Sequence, residues 1–268
     1  FEDPFVTTGV YPYYVYHDFP DRSALQGGEA HVAAVQIRVA LTDRIALIAT
    51  KDGRAWLRAD NPLLDEKQGW LNIAGGLKAA LYEDPEAPLL VSGILRFEFD
   101  SGSSDVFQGQ GDGVVIPSVA FAWGAGPLQV MGDLGGQIPL DGGDQSTAIF
   151  SHLYAGLDLS PSFVPFAQLS WMRWMDGGRG TLPIDLDIGV TLPLDTVQTV
   201  LGTDPFEGAD VWNLGSRGVK DLDLWTAALG FHIPITDHVT LSAAYERPFS
   251  HHKGVFQQRV TTALEIEF

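Results

Sequence analysis

The sequence predicts an all-β chain that closes into a single antiparallel transmembrane β-barrel of about twelve strands, with short periplasmic turns and long extracellular loops. Three observations carry this expectation. Apolar residues recur with period two in segment after segment. The connectors between segments are alternately tight and long. The segments pair a nearly uncharged apolar face with a sparsely charged polar one, the reverse of what a water-exposed sheet requires.

The elements follow in order. VYPYYVYH (10–17) carries the chain outward, 18–29 forms the first outer loop, and AHVAAVQIRVAL (30–41) returns. TDR turns the chain into IALIATK (45–51), and 52–68 is the next loop. WLNIAGGLKAALY (70–82), EDPEAP and LLVSGILRFEF (89–99) form one pair, with 100–112 outside. GVVIPSVAFAW (113–123), GAG and PLQVMGDLGGQI (127–138) form the next, followed by 139–145. STAIFSHLYAGLDL (146–159), SPS and FVPFAQLSWMRW (163–174) precede the longest connector, 175–221. DLWTAALGFHIPI (223–235), TDH and VTLSAAYERPF (239–249) precede loop 250–254, and VFQQRVTTALEIEF (255–268) closes the set. The strand count is even and both ends fall on the short-turn side, as a closed barrel needs.

The faces separate cleanly in the last strand. Val260, Thr262, Leu264, Ile266 and Phe268 share one side, and Arg259, Thr261, Ala263, Glu265 and Glu267 the other. Leu71, Ile73, Leu77 and Leu81 likewise oppose Asn72 and Lys78. The competing arrangement is a soluble barrel with the charges outside. Against it, small residues stud the apolar faces (Gly75, Gly93, Gly132, Ala155), a poor choice for a dense core. Aromatics also gather at segment ends (Trp70, Tyr82, Trp123, Trp171, Trp174, Tyr245), as interfacial girdles do. With the apolar face outward, the expected pore-lining residues are Arg38, Lys78, Arg96, Glu98, Asp133, His152, Asp158, Glu246, Arg259 and Glu265.

Composition narrows the functions. The net charge of −18 disfavours nucleic acid, whose phosphates need clustered Lys and Arg. The absence of Cys removes disulfides, thiolate catalysis and Cys-ligated zinc. No run is long and apolar enough for a transmembrane helix, which leaves a closed barrel as the spanning alternative. FEDPFVTTG at the start has neither a basic nor an apolar signal region, as expected of a chain whose signal peptide is already removed. The chain is expected to be integral in a bacterial outer membrane, as one domain over 1–268.

Candidate chemistry is sparse. Ser151 and His152 are adjacent and therefore point to opposite faces, and no G-x-S-x-G occurs, so a lipid hydrolase has little to stand on. His251 and His252 beside Ser250 read as solvated loop residues. The acidic stretches DSGSSD (100–105), GDG (111–113) and DGGD (141–144), with Asp185, Asp187, Asp195, Asp204, Glu207 and Asp210, lie in expected outer loops. They lack EF-hand spacing, so plain solvation is expected, with loop-bound Ca²⁺ or a divalent bridge to lipopolysaccharide as the alternative. LDTVQTVLG (194–202) is expected to form a short helix within 175–221, a stretch too long to be idle and expected either to constrict the pore or to cap it.

The terminal LEIEF (264–268) resembles the assembly signal of bacterial outer-membrane β-barrel proteins, which end on an amphipathic strand and a Phe. The TDR and TDH turns and FEGADVWNLGSRGV (206–219) are similar to the outer-membrane transporter family associated with phenol-degradation pathways. The resemblance implies a porin-like protein that meets the barrel-assembly machinery through the strand ending in Phe268, and it implies no catalytic residues or cofactor. The expected function is passive diffusion of small polar or charged solutes. The alternatives are a surface structural or adhesive barrel with a plugged lumen and, on thinner grounds, an outer-membrane lipid hydrolase.

Overall fold

The computed structural model describes every residue except Leu63, Asp65, Pro85, 183–191, His252 and Lys253. Residues 1–8 precede the first strand. The wall is then built from β1 (Gly9–Asp18), β2 (Gly28–Ala40), β3 (Ile45–Ala59), β4 (Lys67–Trp70), β5 (Ala74–Asp84), β6 (Leu89–Glu98), β7 (Val114–Ala125), β8 (Leu128–Pro139), β9 (Thr147–Leu157) and β10 (Val164–Asp176). The described part of the long connection carries a small hairpin, β11 (Thr181–Leu182) and β12 (Leu192–Pro193), and the α-helix α1 (Leu194–Leu201). The wall is completed by β13 (Asp223–Thr236), β14 (Val239–Pro248) and β15 (Gln258–Glu267).

Every wall strand pairs antiparallel with its neighbours, and the sheet closes where β15 pairs with β1, with Val10 opposite Ile266 and Tyr16 opposite Val260. β4 and β5 both pair with β3 and are one strand interrupted at 71–73. The wall is therefore a closed antiparallel barrel of twelve strands. Closure of β15 on β1 removes the open sheet edge, the condition for standing in hydrocarbon. Among the described residues no helix is long and apolar enough to cross a membrane, and a closed barrel is the other structure able to do so.

Alternation places large apolar side chains outward: Leu77, Leu95, Leu134, Leu153 and Leu229 are all exposed on the outer wall. Trp56, Trp70, Trp225, Tyr245 and Phe249 stand outside near the loop ends of their strands, and Tyr82, Trp123, Phe163 and Ile235 near the turns. Two apolar girdles about a leucine-rich belt match a wall between two headgroup layers.

Two sequence expectations are corrected. β3 continues through Lys51–Ala59 and β4 begins at Lys67, so much of the expected loop 52–68 is wall. The polar run Lys51, Asp52, Gly53, Arg54 hid the strand because a register shift between Val35 and Ile37 of β2 breaks the alternation there. Leu71, expected to share the outward face of Leu77, is buried in an apolar cluster beneath the loops, because the break at 71–73 turns it inward.

Candidate functional site: a charged lumen between two inserted segments

The outer mouth is occupied by an apolar core of the kind a water-soluble domain has. Val15, Val32, Ala55 and Leu57 from the inner wall pack with Phe19, Leu25, Val106, Phe206, Val211, Trp212, Leu214 and Phe256 from the loops. The Trp212 indole donates to the Val106 carbonyl at 2.9 Å, and its ring meets the buried His17 imidazole edge-on at 4.9 Å. Residues of the long connection thus pack against the inner wall at the mouth. α1 spans Leu194–Leu201, over the stretch expected to be helical. Asp185 and Asp187 lie outside the described residues.

Glu207 organises this insert. Its buried carboxylate accepts from the Ser146 hydroxyl (2.5 Å), the Gly208 amide (2.8 Å), the Ser216 amide (2.9 Å) and the Leu214 amide. Burial raises its carboxyl above the ordinary range, and these four donors oppose the rise. Four donors converging on one side chain fold 207–216 around it, which explains why this acid is inside rather than solvated. Gly215 has φ +66° and sits against the Asp144 carbonyl, where a Cβ would collide.

From the other side, residues 1–5 enter the barrel. Glu2 is buried, and its Oε1 lies 3.1 Å from Arg38 Nη2 and 2.7 Å from Lys78 Nζ. The Gln36 amide donates to Glu2 Oε2 at 2.6 Å. Asp3 lies 2.5 Å from Arg38 Nη1 and 3.3 Å from Lys78 Nζ. Burial works against the Asp3 charge, but Arg38 and Lys78 outweigh it and hold its carboxyl below the usual range. Lys78 Nζ also donates to the Phe5 carbonyl (3.0 Å), and the Ser92 hydroxyl to the Pro4 carbonyl (2.5 Å). The Phe1 ring lies 6.1 Å from His152 and 6.0 Å from Tyr154.

A cavity of about 1030 Å³ runs through the lumen, bordered by Glu2, Asp3 and Phe5, by Ala209, Asp210 and Val211 of the long insert, and by Glu83, Gln129 and Asp158 toward the short turns. Of the residues read from the sequence as pore-lining, Arg38, Arg96, Glu98, Asp133, His152, Asp158, Glu246, Arg259 and Glu265 border it. Lys78 is fully buried beneath the residue 1–5 segment.

The lumen charges are engaged in separate clusters. Lys51 meets Glu98 at 2.6 Å, and the Asn72 amide donates to the same carboxylate at 2.8 Å. Arg259 bridges Glu246 (2.5 Å) and both Asp210 oxygens (2.8 Å) while lying 4.6 Å from the Phe256 ring centroid. Burial opposes the Asp210 charge, yet Arg259 holds its carboxyl well below the ordinary value. His152 Nδ1 lies 2.6 Å from Asp133 Oδ1, and the Gln129 amide donates to Asp158 at 3.0 Å. The Ser242 hydroxyl donates to Glu265 at 2.6 Å and lies 2.6 Å from His232. Arg96 borders the cavity with its buried Nε unpartnered among the described residues.

Sequence reading missed Glu2, Asp3, Lys51 and Asp210 as lumen residues. Lys51 sits where the register of the wall shifts, and the other three lie outside any alternating segment. Ser151 and His152 face opposite sides of β9: Ser151 pairs beside Leu134 and donates to the Asp133 carbonyl, whereas His152 borders the cavity. Among the described residues no group of three or more His, Asp or Glu could hold a metal ion. The loop acids are dispersed, with Asp141 turned onto the Gly143 amide and Asp210 onto Arg259.

No protein-family model and no curated protein matches the chain. Solved structures do match in shape. The COG4313 outer membrane channel from Pseudomonas putida F1 superposes with a TM-score of 0.65 at 13% identity, over 98% of this chain and 96% of that one. The NanC porin gives 0.54 at 8% identity, over 97% and 98%. The KdgM porin in complex with disordered oligogalacturonate gives 0.50 at 8% identity, over 96% and 99%. The chain has the closed twelve-stranded β-barrel fold of porin-like outer-membrane channels.

Proposed function

We propose that this barrel is an outer-membrane channel through which small polar or charged solutes diffuse passively. The observation that supports it best is the cavity of about 1030 Å³ lined by ionised groups of both signs inside a lipid-facing wall. A barrel of about twelve strands is wider than side chains alone fill and narrower than the roughly 16-stranded open porins. Paired charges therefore leave a path for solvent while setting selectivity for what enters. Diffusion down a gradient needs no cofactor and no nucleophile, and the lumen groups act as a bracing and screening lattice. Phe268 at the end of β15 is the contact we assign to the barrel-assembly machinery, and the acidic outer loops face lipopolysaccharide.

Residues 1–5 and the long insert make the described state a narrow one. The anchor or adhesin alternative draws on the same apolar packing of the mouth. Planar-bilayer recording separates the two. A channel gives discrete conductance steps that enlarge when the Glu2 and Asp3 charges are removed. A filled anchor stays silent in both forms, and that result would overturn the channel reading.

A further inference from the structure

We propose that Arg38 and Lys78, with Gln36, form a receptor for small dicarboxylates that Glu2 and Asp3 occupy in the resting molecule. The inference rests on the channel reading and names the solute class that its lumen selects. Three other lumen groups find partners on wall strands or the long insert: Lys51 on Glu98, Arg259 on Glu246 and Asp210, His152 on Asp133. Arg38 and Lys78 differ. Among the described residues, their only carboxylate partners are Glu2 and Asp3.

The niche is built into the wall. Lys78 is fully buried, and the Arg38 guanidinium lies 4.7 Å from the Tyr11 ring centroid. Each carboxylate takes a different Arg38 nitrogen, Lys78 Nζ bridges the two, and Gln36 adds a neutral donor to one of them. That is a two-carboxylate recognition pattern, since a planar guanidinium fork and a bridging ammonium match paired anionic oxygens. When residues 1–5 leave, two buried cations lose their counter-ions, a state that is strongly unfavourable unless an anion replaces them. Residues 1–5 act as a tethered competitor at an effective concentration in the millimolar range (~mM), so a free dicarboxylate displaces them only at comparable concentrations.

The test uses the full-length barrel in planar bilayers, with glutarate as the probe against chloride and 1,5-pentanediamine at matched ionic strength. Glutarate should raise the open probability of the unmodified barrel several-fold. In the Glu2→Gln/Asp3→Asn variant, already open, it should cause brief interruptions of current. Adding Arg38→Gln to that variant should abolish the interruptions, with heat-modifiable gel migration confirming that each barrel is folded. Calorimetric titration of the detergent-solubilised double variant should give glutarate binding at least ten-fold tighter than that of acetate. A double variant that conducts but ignores glutarate, or responds equally to the diamine, overturns the dicarboxylate receptor alone. A double variant that is silent overturns the channel reading, and the calorimetric result then decides the receptor by itself.

Discussion

At the scale of single residues, the molecule depends on acids that have left solvent. Glu207 accepts four hydrogen bonds from within or beside its own loop, and each donor would be stranded if the carboxylate were removed. Leaving buried donors unsatisfied costs about 1–3 kcal/mol per group, although a loosened loop recovers part of this through water. Glu207→Ala should therefore destabilise the insert by several kcal/mol without touching the wall, since Glu207 is on no strand. Limited proteolysis checks this: cleavage within 203–222 should accelerate at least ten-fold while the gel shift of the heated barrel stays unchanged. Equal protection of both forms would show that the apolar packing of Trp212 and Phe206 holds the insert without its carboxylate.

At the scale of elements, the insert docks onto the wall through a charge pair as well as an apolar core. Asp210 reaches down from the insert to Arg259 of β15, which Glu246 of β14 also holds. Because the folded-state carboxyl of Asp210 is depressed, its docking contribution is complete above the ordinary value of 3.8 and fades only as pH falls through the lower folded value. The share of the insert's protection that depends on the Asp210–Arg259 pair should accordingly stay level from pH 7 to about pH 4 and decline only under stronger acid. Arg259→Gln should move the onset of that decline up toward the ordinary carboxylate range, and an unchanged onset would assign the acid response to another group. The wall strands were legible in the sequence because a pleat alternates with period two whatever surrounds it, so LEIEF could be assigned its faces from its own residues. The inserts were not. FEDPF is too short to carry a period, and its meaning comes from Arg38 and Lys78, which are distant in sequence. Phe206, Val211 and Trp212 form an apolar core without periodicity, so nothing local separated an inserted segment from an outer cap.

At the scale of the whole molecule, the decisive property is that the wall is inside out: hydrocarbon-facing leucines surround an ionised lumen. Adjacent residues of β10 test it at one depth. Leu169 is exposed on the outer face and pairs with Leu153 of β9, whereas Gln168 borders the cavity and donates to Ser170 at 3.0 Å. An arginine on the lipid face near mid-depth costs about 2–4 kcal/mol, whereas a lumen position keeps its charge in water and beside acids. Leu169→Arg should therefore lower the unfolding free energy in lipid vesicles by about 2–4 kcal/mol, and Gln168→Arg by less than about 1 kcal/mol. A soluble barrel with Leu169 on a wetted surface predicts near-neutrality for Leu169→Arg and a large loss for Gln168→Arg. Equilibrium denaturation in guanidinium, followed by tryptophan emission, reads the sign directly, because the two orientations reverse the order of the variants.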